Sequence, residues 1–546
     1  MAALRHSGRR LLLVTGRELE DLRHVAPDLS QFDAVVAENG AVLFDPASQN
    51  LRVLAEPLAP ALIDTLKRRG VPFGVGHAIL ATSVPHDLAV LAAIRDLGLE
   101  RQLIYNKGAV MVLPTGVSKA SGLQAALDHL GLSPHNVAGI GDAENDHAFL
   151  QLCEVAAAVG NALPAIKARA DIILRRPDGR GVSTFIMEHL LRDLADRPEL
   201  FARYTVEIGT QPHGIPLRMP VYGDLPLIVG PSGSGKSTLT GVLVERLVEQ
   251  GYQVCVVDPE GDHLGLDPLV VLGSTVAPPT LEEVTTALER SDAGAVVNLV
   301  ALRLPEKARF AVDLLAAVVA ARATQGRPHW LVLDEAHHIF PADGGPGAAV
   351  LPAELEGVCF VAVEADQLGR AVLERVTRLY VVGADAGAQV DRFAAVRGLD
   401  MPSVAHDTWT LLEGEALLTR VAGSALSRPQ RFRVAPRRTE HRRHVRKYAG
   451  GDLGDSSFYF RGPERRLNLR AFNVQAFIAM ALGVDEATWQ YHLANGDIAR
   501  WFRERVKDPD LADRIAAIAA QAEQLSPAQS REAAVRQIEA RYSSVS

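Results

Sequence analysis

Cysteine is nearly absent: Cys153, Cys255 and Cys359 are the whole complement of a 546-residue chain. They lie far apart, each in an apolar stretch, and no spacing links them as metal ligands. So odd and sparse a set excludes a disulfide framework and fits a reducing compartment. Long apolar runs are missing as well. None reaches the roughly 18 residues of a bilayer span, and "LLLV" at 11–14 is too short for the core of a signal peptide. A net charge of −8 gives no general attraction to nucleic acid or to a membrane surface. There is no tandem repeat and no low-complexity tract. What remains is ordinary globular composition, 48% hydrophobic and 22% charged, in a chain too long for one core. These features describe a soluble cytoplasmic protein of about three domains, with no membrane partner.

Residues 1–195 alternate short Val/Ile/Leu runs with amphipathic stretches, as in "DAVVAENGAVLF", "AVMVLP" and "NVAGIGDAEND". That alternation predicts a mostly parallel α/β domain. Residues 196–425 alternate again through "LPLIVGPSGSGKST", "QVCVVDPEGDH", "GAVVNLVAL", "HWLVLDEAHHIF", "GVCFVAVEADQL" and "RLYVVGADAG", a second α/β domain. Residues 426–448 read as a basic linker, with nine Lys or Arg between Arg428 and Lys447. A solvated linker is the plain reading of such a run, and a track for nucleic-acid phosphates is the functional one. Residues 449–546 lose the strand pattern and predict a small, mainly helical accessory domain. Its Trp489 and Trp501 are read as core, and no chemistry is assigned to it.

Gly230, Pro231, Ser232, Gly233, Ser234, Gly235, Lys236, Ser237 and Thr238 spell G-x-x-x-x-G-K-[ST]. Glycines let backbone N–H groups close on phosphate oxygens. Lys236 is then expected at the β/γ-phosphates, the Ser237 hydroxyl on Mg²⁺, and the positive end of a helix dipole beneath them. A strand "LPLIV" runs into the loop and an amphipathic "STLTGVLVERLVEQG" leaves it, the context the motif requires. In "HWLVLDEAHHIF" an apolar strand carries Asp334 and Glu335 to its C-terminal end. Asp334 can hold Mg²⁺ through water and Glu335 can polarise an attacking water. Alone, the pair equally describes a helix with an acidic first turn. Its place about a hundred residues after the phosphate loop decides for catalysis.

These segments, with "CVVDPEGDH" and the lead-in "EIGTQPHGIPLRMPVYGDLPLIVG", resemble the HerA/VirB4/FtsK class of P-loop ATPases over about residues 205–400. An ABC-type ATPase shares the glycine loop, but no "LSGGQ"-like signature precedes Asp334. The resemblance implies a RecA-like domain using ATP and Mg²⁺, and a hexameric ring that pumps or remodels DNA or protein. The chain departs from the class after Asp334. Where a polar sensor, often Gln, ends the next strand, it reads "FVAVEADQL", with Glu364, Asp366 and Gln367 as imperfect stand-ins.

The first domain carries a second constellation. "GIGDAENDHAFL" ends a strand with Asp142, Asn145 and Asp146, where α/β sheets bind ligands and where hard oxygen donors suit Mg²⁺. "PTGVSKASGLQAAL" starts a helix at Lys119, and "VTGR" puts the Thr15 hydroxyl at a strand end. Singly these are common features; together and in this order they resemble the haloacid-dehalogenase phosphatases, specifically the Cof-like group with a C2 cap. "LLLVTGRE", "GVSKASGL" and "GIGDAENDHAFL" match its second, third and fourth motifs over about residues 1–190, and "AENGA" fits as well. By that resemblance Thr15 binds phosphate, Lys119 steadies phosphate and nucleophile, and Asp142 binds Mg²⁺, with Asn145 and Asp146 in support. A small cap over about 45–112 implies a small phosphorylated substrate, such as phosphoglycolate or a sugar phosphate. The family also begins with a strand ending in D-x-D-x-T, which carries the nucleophile and the general acid. Here "MAALRHSG" looks like the tail of the helix that follows that strand. The expectation is a reading frame that starts upstream, or a shortened copy, without phosphatase activity.

The leading function is therefore ATP hydrolysis by a HerA-like domain fused to a phosphatase-like domain. Two alternatives stay open: a small-molecule phosphatase regulated by the ATPase domain, and a nucleotide-gated, non-catalytic scaffold.

Overall fold

The computed structural model describes residues 1–106, 108–290, 293–344, 351, 355–401, 409–438, 453, 456–506, 508–521 and 525–542. They fall into two compact units, Met1–Pro259 with Pro268–Pro436, and Glu260–Asp267 with Arg437–Ser546. No helix among the described residues is long and apolar enough to cross a membrane.

The first unit contains both α/β domains. After a short helix, Ala2–His6, come β1 (Leu12–Val14), β2 (Ala34–Ala37), β3 (Val42–Asp45) and β4 (Asn50–Val53), one sheet in that order. β1 and β2 are parallel; β3 and β4 return antiparallel. A cap sheet follows, β5 (Gly74–Val75), β6 (Leu80–Ser83), β7 (Arg101–Asn106) and β8 (Ala109–Pro114), ordered β5-β6-β8-β7. Its core joins Leu62, Leu66, Leu80, Val90 and Val112. Residues 45–53, placed in the cap by the sequence reading, instead belong to the main sheet. Buried Val42, Leu43 and Phe44 pair with β2, and β4 pairs with them in turn.

β9 (Ala138–Gly141), β10 (Val155–Ala158) and β11 (Ile172–Ile173) form a separate parallel sheet ordered β11-β10-β9. Among the described residues β1 is laddered only by β2, and β9 only by β10. Alternate residues of a parallel strand turn their backbone groups to the same side. The Leu11 carbonyl accepts from Asp33 N and Thr15 N donates to the Val36 carbonyl, so Leu12 and Val14 face away from β2. The Val137 and Gly141 carbonyls accept from Val155 N and Val159 N, so Ala138 and Ile140 face away from β10. All of β1 is partly exposed, whereas β2 and β10 are buried throughout. The domain's sheet is divided where the sequence reading places the absent strand.

The second domain has one continuous sheet. Its strands are β12 (Thr205–Thr210), β13 (Pro216–Pro220), β14 (Pro226–Val229), β15 (Val254–Asp258), β16 (Val270–Leu272), β17 (Ala295–Asn298), β18 (Trp330–Leu333), β19 (Val358–Ala362), β20 (Arg378–Val382), β21 (Glu415–Ala422), β22 (Ala425–Leu426) and β23 (Gln430–Val434). The order is β13-β12-β23-β21-β20-β14-β19-β18-β15-β17-β16, with β22 on β21. From β20 to β16 all pairs are parallel. β14, β15, β17, β18, β19 and β20 are buried at every residue, which is why they read as unbroken Val/Leu/Ile runs. The linker expected over 426–448 starts later than the sequence reading places it. β23 occupies 430–434 and buries only Phe432 between outward-facing arginines, so charge masks its alternation. Residues 439–447 of the basic run lie outside the described residues.

A polar joint ties the two domains of this unit together. Buried Glu154 accepts from the Tyr222 hydroxyl (2.7 Å) and from His135 Nδ1 (2.7 Å). His135 stacks on Tyr252 at 4.0 Å, His329 Nε2 donates to Asn136 Oδ1 (3.2 Å), and Arg327 donates to the Gly131 carbonyl. Asn136 lies just before β9 and His329 just before β18. The strands leading to Asp142 and to Asp334 are thus rooted in the same place.

The second unit has a hairpin, β24 (Phe458–Phe460) and β25 (Leu469–Ala471), followed by helices Val474–Gly483, Glu486–Ala494, Asp497–Glu504, Pro509–Ala520 and Pro527–Tyr542. Trp489 and Trp501 are core residues, packed with Phe458, Phe460, Phe477 and Phe502. The hairpin escapes the sequence reading because each of its strands is three residues long.

Candidate functional sites

β14 ends at Val229 and the helix Lys236–Glu249 begins at the lysine itself, so the six residues between them form the loop. Gly233 (φ +80°) and Gly235 (φ +107°) adopt a left-handed backbone, and the space a Cβ would fill there is open. Lys236 is buried, and its Nζ donates to the carbonyls of Gly230 (2.9 Å) and Pro231 (3.3 Å). The Ser234 hydroxyl is enclosed without a hydrogen-bond partner among the described residues. An open cradle, an enclosed hydroxyl and an ammonium resting on loop carbonyls fit a phosphate group.

β19 separates β14 from β18, which delivers Asp334. Asp334 is 3% exposed; its N–H donates to the Val257 carbonyl (3.1 Å) and its Oδ1 accepts from Glu335 N (2.9 Å). Glu335 takes φ +47°, a strained conformation for a residue with a Cβ. The turn Ala336–His338 follows, and Glu335 Oε2 lies 3.4 Å from His337 Nδ1. Burial first, then the neighbouring His338 and Lys236, push the His337 pKa down to about 4. At the end of β19, Glu364 pairs with Arg392 (2.6 Å) and accepts from Gln367 Nε2 (3.1 Å). Glu364 and Gln367 thus lie together in one hydrogen-bonded group. Arg392 was not anticipated, because it comes from a helix, Ala386–Arg397, with no motif of its own.

In the first domain Lys119 starts the helix Lys119–Leu130, capped by Ser118. A Cβ on Gly40 would sit 1.9 Å from the Ser118 carbonyl oxygen and one on Gly122 would sit 2.5 Å from Gly40 Cα, so both positions need glycine for the helix to reach the β2 turn. Lys119 Nζ donates to Asp146 Oδ1 (2.5 Å), both groups being buried. Asp146 Oδ2 accepts from Asp142 N (2.7 Å) and Ala143 N (3.0 Å). Asn145 Nδ2 donates to Asn39 Oδ1 (2.9 Å), bridging the β1–β2 side to the β9 side. Thr15 Oγ1 accepts from Arg17 N (3.2 Å), and the Thr15 carbonyl accepts from Asn39 N (3.1 Å).

Lys119, Asp142 and Asp146 therefore form one connected group. Thr15, Asn39 and Asn145 form another, sharing the segment 142–146 with the first. Asn39 was visible only as part of "AENGA". Next to it, buried Glu38 accepts from His77 N (2.9 Å) and Ala78 N (3.0 Å), fastening the cap to the core. Burial, then the charge of Glu38, holds the Glu18 carboxyl above the ordinary glutamate value.

The profile described as haloacid dehalogenase-like hydrolase matches residues 94–186, and the one described as helicase HerA, central domain, matches residues 226–310. Phosphoglycolate phosphatase 2 of Saccharolobus solfataricus is 31% identical over 177 residues, covering 32% of this chain and 74% of that protein. The phosphoglycolate phosphatase of Methanothermobacter thermautotrophicus is 32% identical over 186 residues, covering 32% of this chain and 81% of that protein.

Proposed function

Through its N-terminal domain the chain belongs to the haloacid dehalogenase-like hydrolases, and on that premise we propose that its working reaction is ATP hydrolysis by the HerA-like domain beside it. The observation that carries this reading is the loop around Lys236, whose ammonium rests on the Gly230 and Pro231 carbonyls. Phosphate oxygens replace those carbonyls, and the N–H groups of 233–238 turn to the same oxygens. Ser237 and Asp334 are the residues that would hold Mg²⁺, which supplies charge neutralisation at the phosphates. Glu335 orients the attacking water and accepts its proton. Glu364, tied to Arg392 and Gln367, takes the place of the polar sensor. The domain works as a ring, a hexamer in its class, and the 428–447 run gives it nucleic acid as a partner.

Lys236→Ala abolishes hydrolysis, and Glu335→Gln retains ATP binding while losing turnover. Equal rates of ATP hydrolysis in wild type and Lys236→Ala would refute the assignment. Size measurement with a non-hydrolysable nucleotide gives a multimer, and nucleic-acid binding falls steeply with salt.

For the first domain, the relatives' names make phosphoglycolate the class of small substrate, with Asp142 as the Mg²⁺ position and Thr15 and Lys119 at the phosphate. The carboxylates within this group are engaged otherwise: Asp146 holds Lys119, and Asp142 faces the metal position. Neither is a nucleophile placed in line with a phosphorus. The 546-residue polypeptide therefore binds phosphate and Mg²⁺ here without turning a monoester over. The divided sheet favours this reading over a phosphatase regulated by ATP. Monoester hydrolysis that disappears in Asp142→Ala would overturn it.

A further inference from the structure

Next to the proposed nucleotide site, the turn after β18 gathers three metal-binding side chains: Glu335, His337 and His338. Their donor atoms all lie within 4.8 Å of one another. Glu335 Oε2 and His337 Nδ1 are 3.4 Å apart, which is about the edge of a tetrahedron with metal–donor bonds of roughly 2.0–2.2 Å. They are not hydrogen-bonded to each other: His337 Nδ1 is enclosed and has no hydrogen-bond partner among the described residues. The two imidazoles follow one another in the turn Ala336–His338, with ring centres 4.1 Å apart. Side chains of Glu335 and His337 are each 14% exposed, shielded yet reachable by a small ion.

We propose that Glu335, His337 and His338 form a site for a late first-row divalent cation, zinc above all, and that its occupation switches ATP hydrolysis off. One carboxylate and two imidazoles with a fourth position left to solvent is a zinc donor set. Magnesium prefers an all-oxygen shell, so it does not compete for the two imidazoles. The regulatory half rests on the reading of Glu335 as the residue that orients water. A cation on that carboxylate takes the oxygen lone pairs the water needs, while the phosphate loop and its lysine stay able to hold nucleotide. The metal-binding half does not depend on that reading.

The test uses the full chain, freed of metal by a chelator and titrated with Zn²⁺ against a chromogenic indicator without nucleotide. Wild type takes up one tight equivalent more than His337→Asn/His338→Asn. The single His338→Asn weakens that equivalent by about 100-fold and guards against a double variant that misfolds. Lys236→Ala keeps the equivalent, though it cannot hydrolyse ATP. Equal zinc uptake by wild type and both histidine variants would overturn the site. In the second arm, one equivalent of Zn²⁺ over excess Mg²⁺ slows wild-type ATP hydrolysis at least tenfold and leaves nucleotide binding in place. Zinc that binds at these residues with unchanged turnover would overturn the switch. If the zinc-free chain hydrolyses no ATP, the reading of the nucleotide site fails, and the titration still decides the metal site.

Discussion

β1 and β14 do the same job in the two α/β domains: each runs into a residue or loop assigned to phosphate. They do it in different surroundings. β14 lies between β20 and β19, hydrogen-bonded on both sides and buried at every position. β1 has β2 on one side and is partly exposed throughout. The site beside β14 consequently has its ammonium, loop and acids held by a continuous sheet. The site beside β1 and β9 is bridged instead by side chains, chiefly Asn145 to Asn39 and Lys119 to Asp146. A motif set can therefore survive intact while the sheet that should aim it is divided. The difference lies in backbone pairing, which no single motif residue reports.

The largest expected effect is in amide hydrogen exchange. The N–H groups of Leu12, Val14, Ala138 and Ile140 exchange at least about 1,000-fold faster than those of Leu227 and Ile228, because protection spans the range from open edges to global stability. Equal protection in the two sets would break the comparison by showing that the β1 and β9 edges are paired. Core truncation comes next. Leu331→Ala, in fully buried β18, costs about 2–5 kcal/mol, and Leu13→Ala in β1 no more than about half of that, read from denaturant unfolding of the first unit.

The smallest effect is on pH dependence and concerns the joint between the domains. Burial first, then the charges of His135, Arg327 and Arg322, push the His329 pKa down to about 3. An unfolded histidine protonates near 6.5. The unfolded state thus takes up a proton in this window that the folded state refuses. Stability is fully retained above about pH 6.5 and is lost as pH falls toward about 3. A slope of up to about 1.4 kcal/mol per pH unit is expected from this one group. His329→Gln flattens that slope in urea titrations; an unchanged slope would remove His329 as its source.

The sequence makes much of this legible, for reasons that differ between regions. Parallel strands covered on both faces announce themselves as apolar runs, so β14, β15, β18 and β19 were readable, along with Lys236, Asp334 and Glu335 at their ends. The divided sheet was readable too, because the motif order implies a strand that no segment of this chain supplies before Leu11. The joint was not. His135, Glu154, Tyr222 and Tyr252 are separated by up to about a hundred residues, and each is ordinary alone. β23 was hidden by its arginines, and the cap's start by a hairpin whose outer strand, β4, carries only a weak alternation.

The central claim is that one half of the chain completes a phosphoryl transfer and the other only holds the groups for one. A single preparation, assayed side by side for inorganic phosphate released from Mg²⁺-ATP and from phosphoglycolate, tests it directly. The account predicts release from ATP that vanishes in Lys236→Ala, and none from phosphoglycolate. Release from phosphoglycolate that is lost in Asp142→Ala, with no release from ATP, would contradict it.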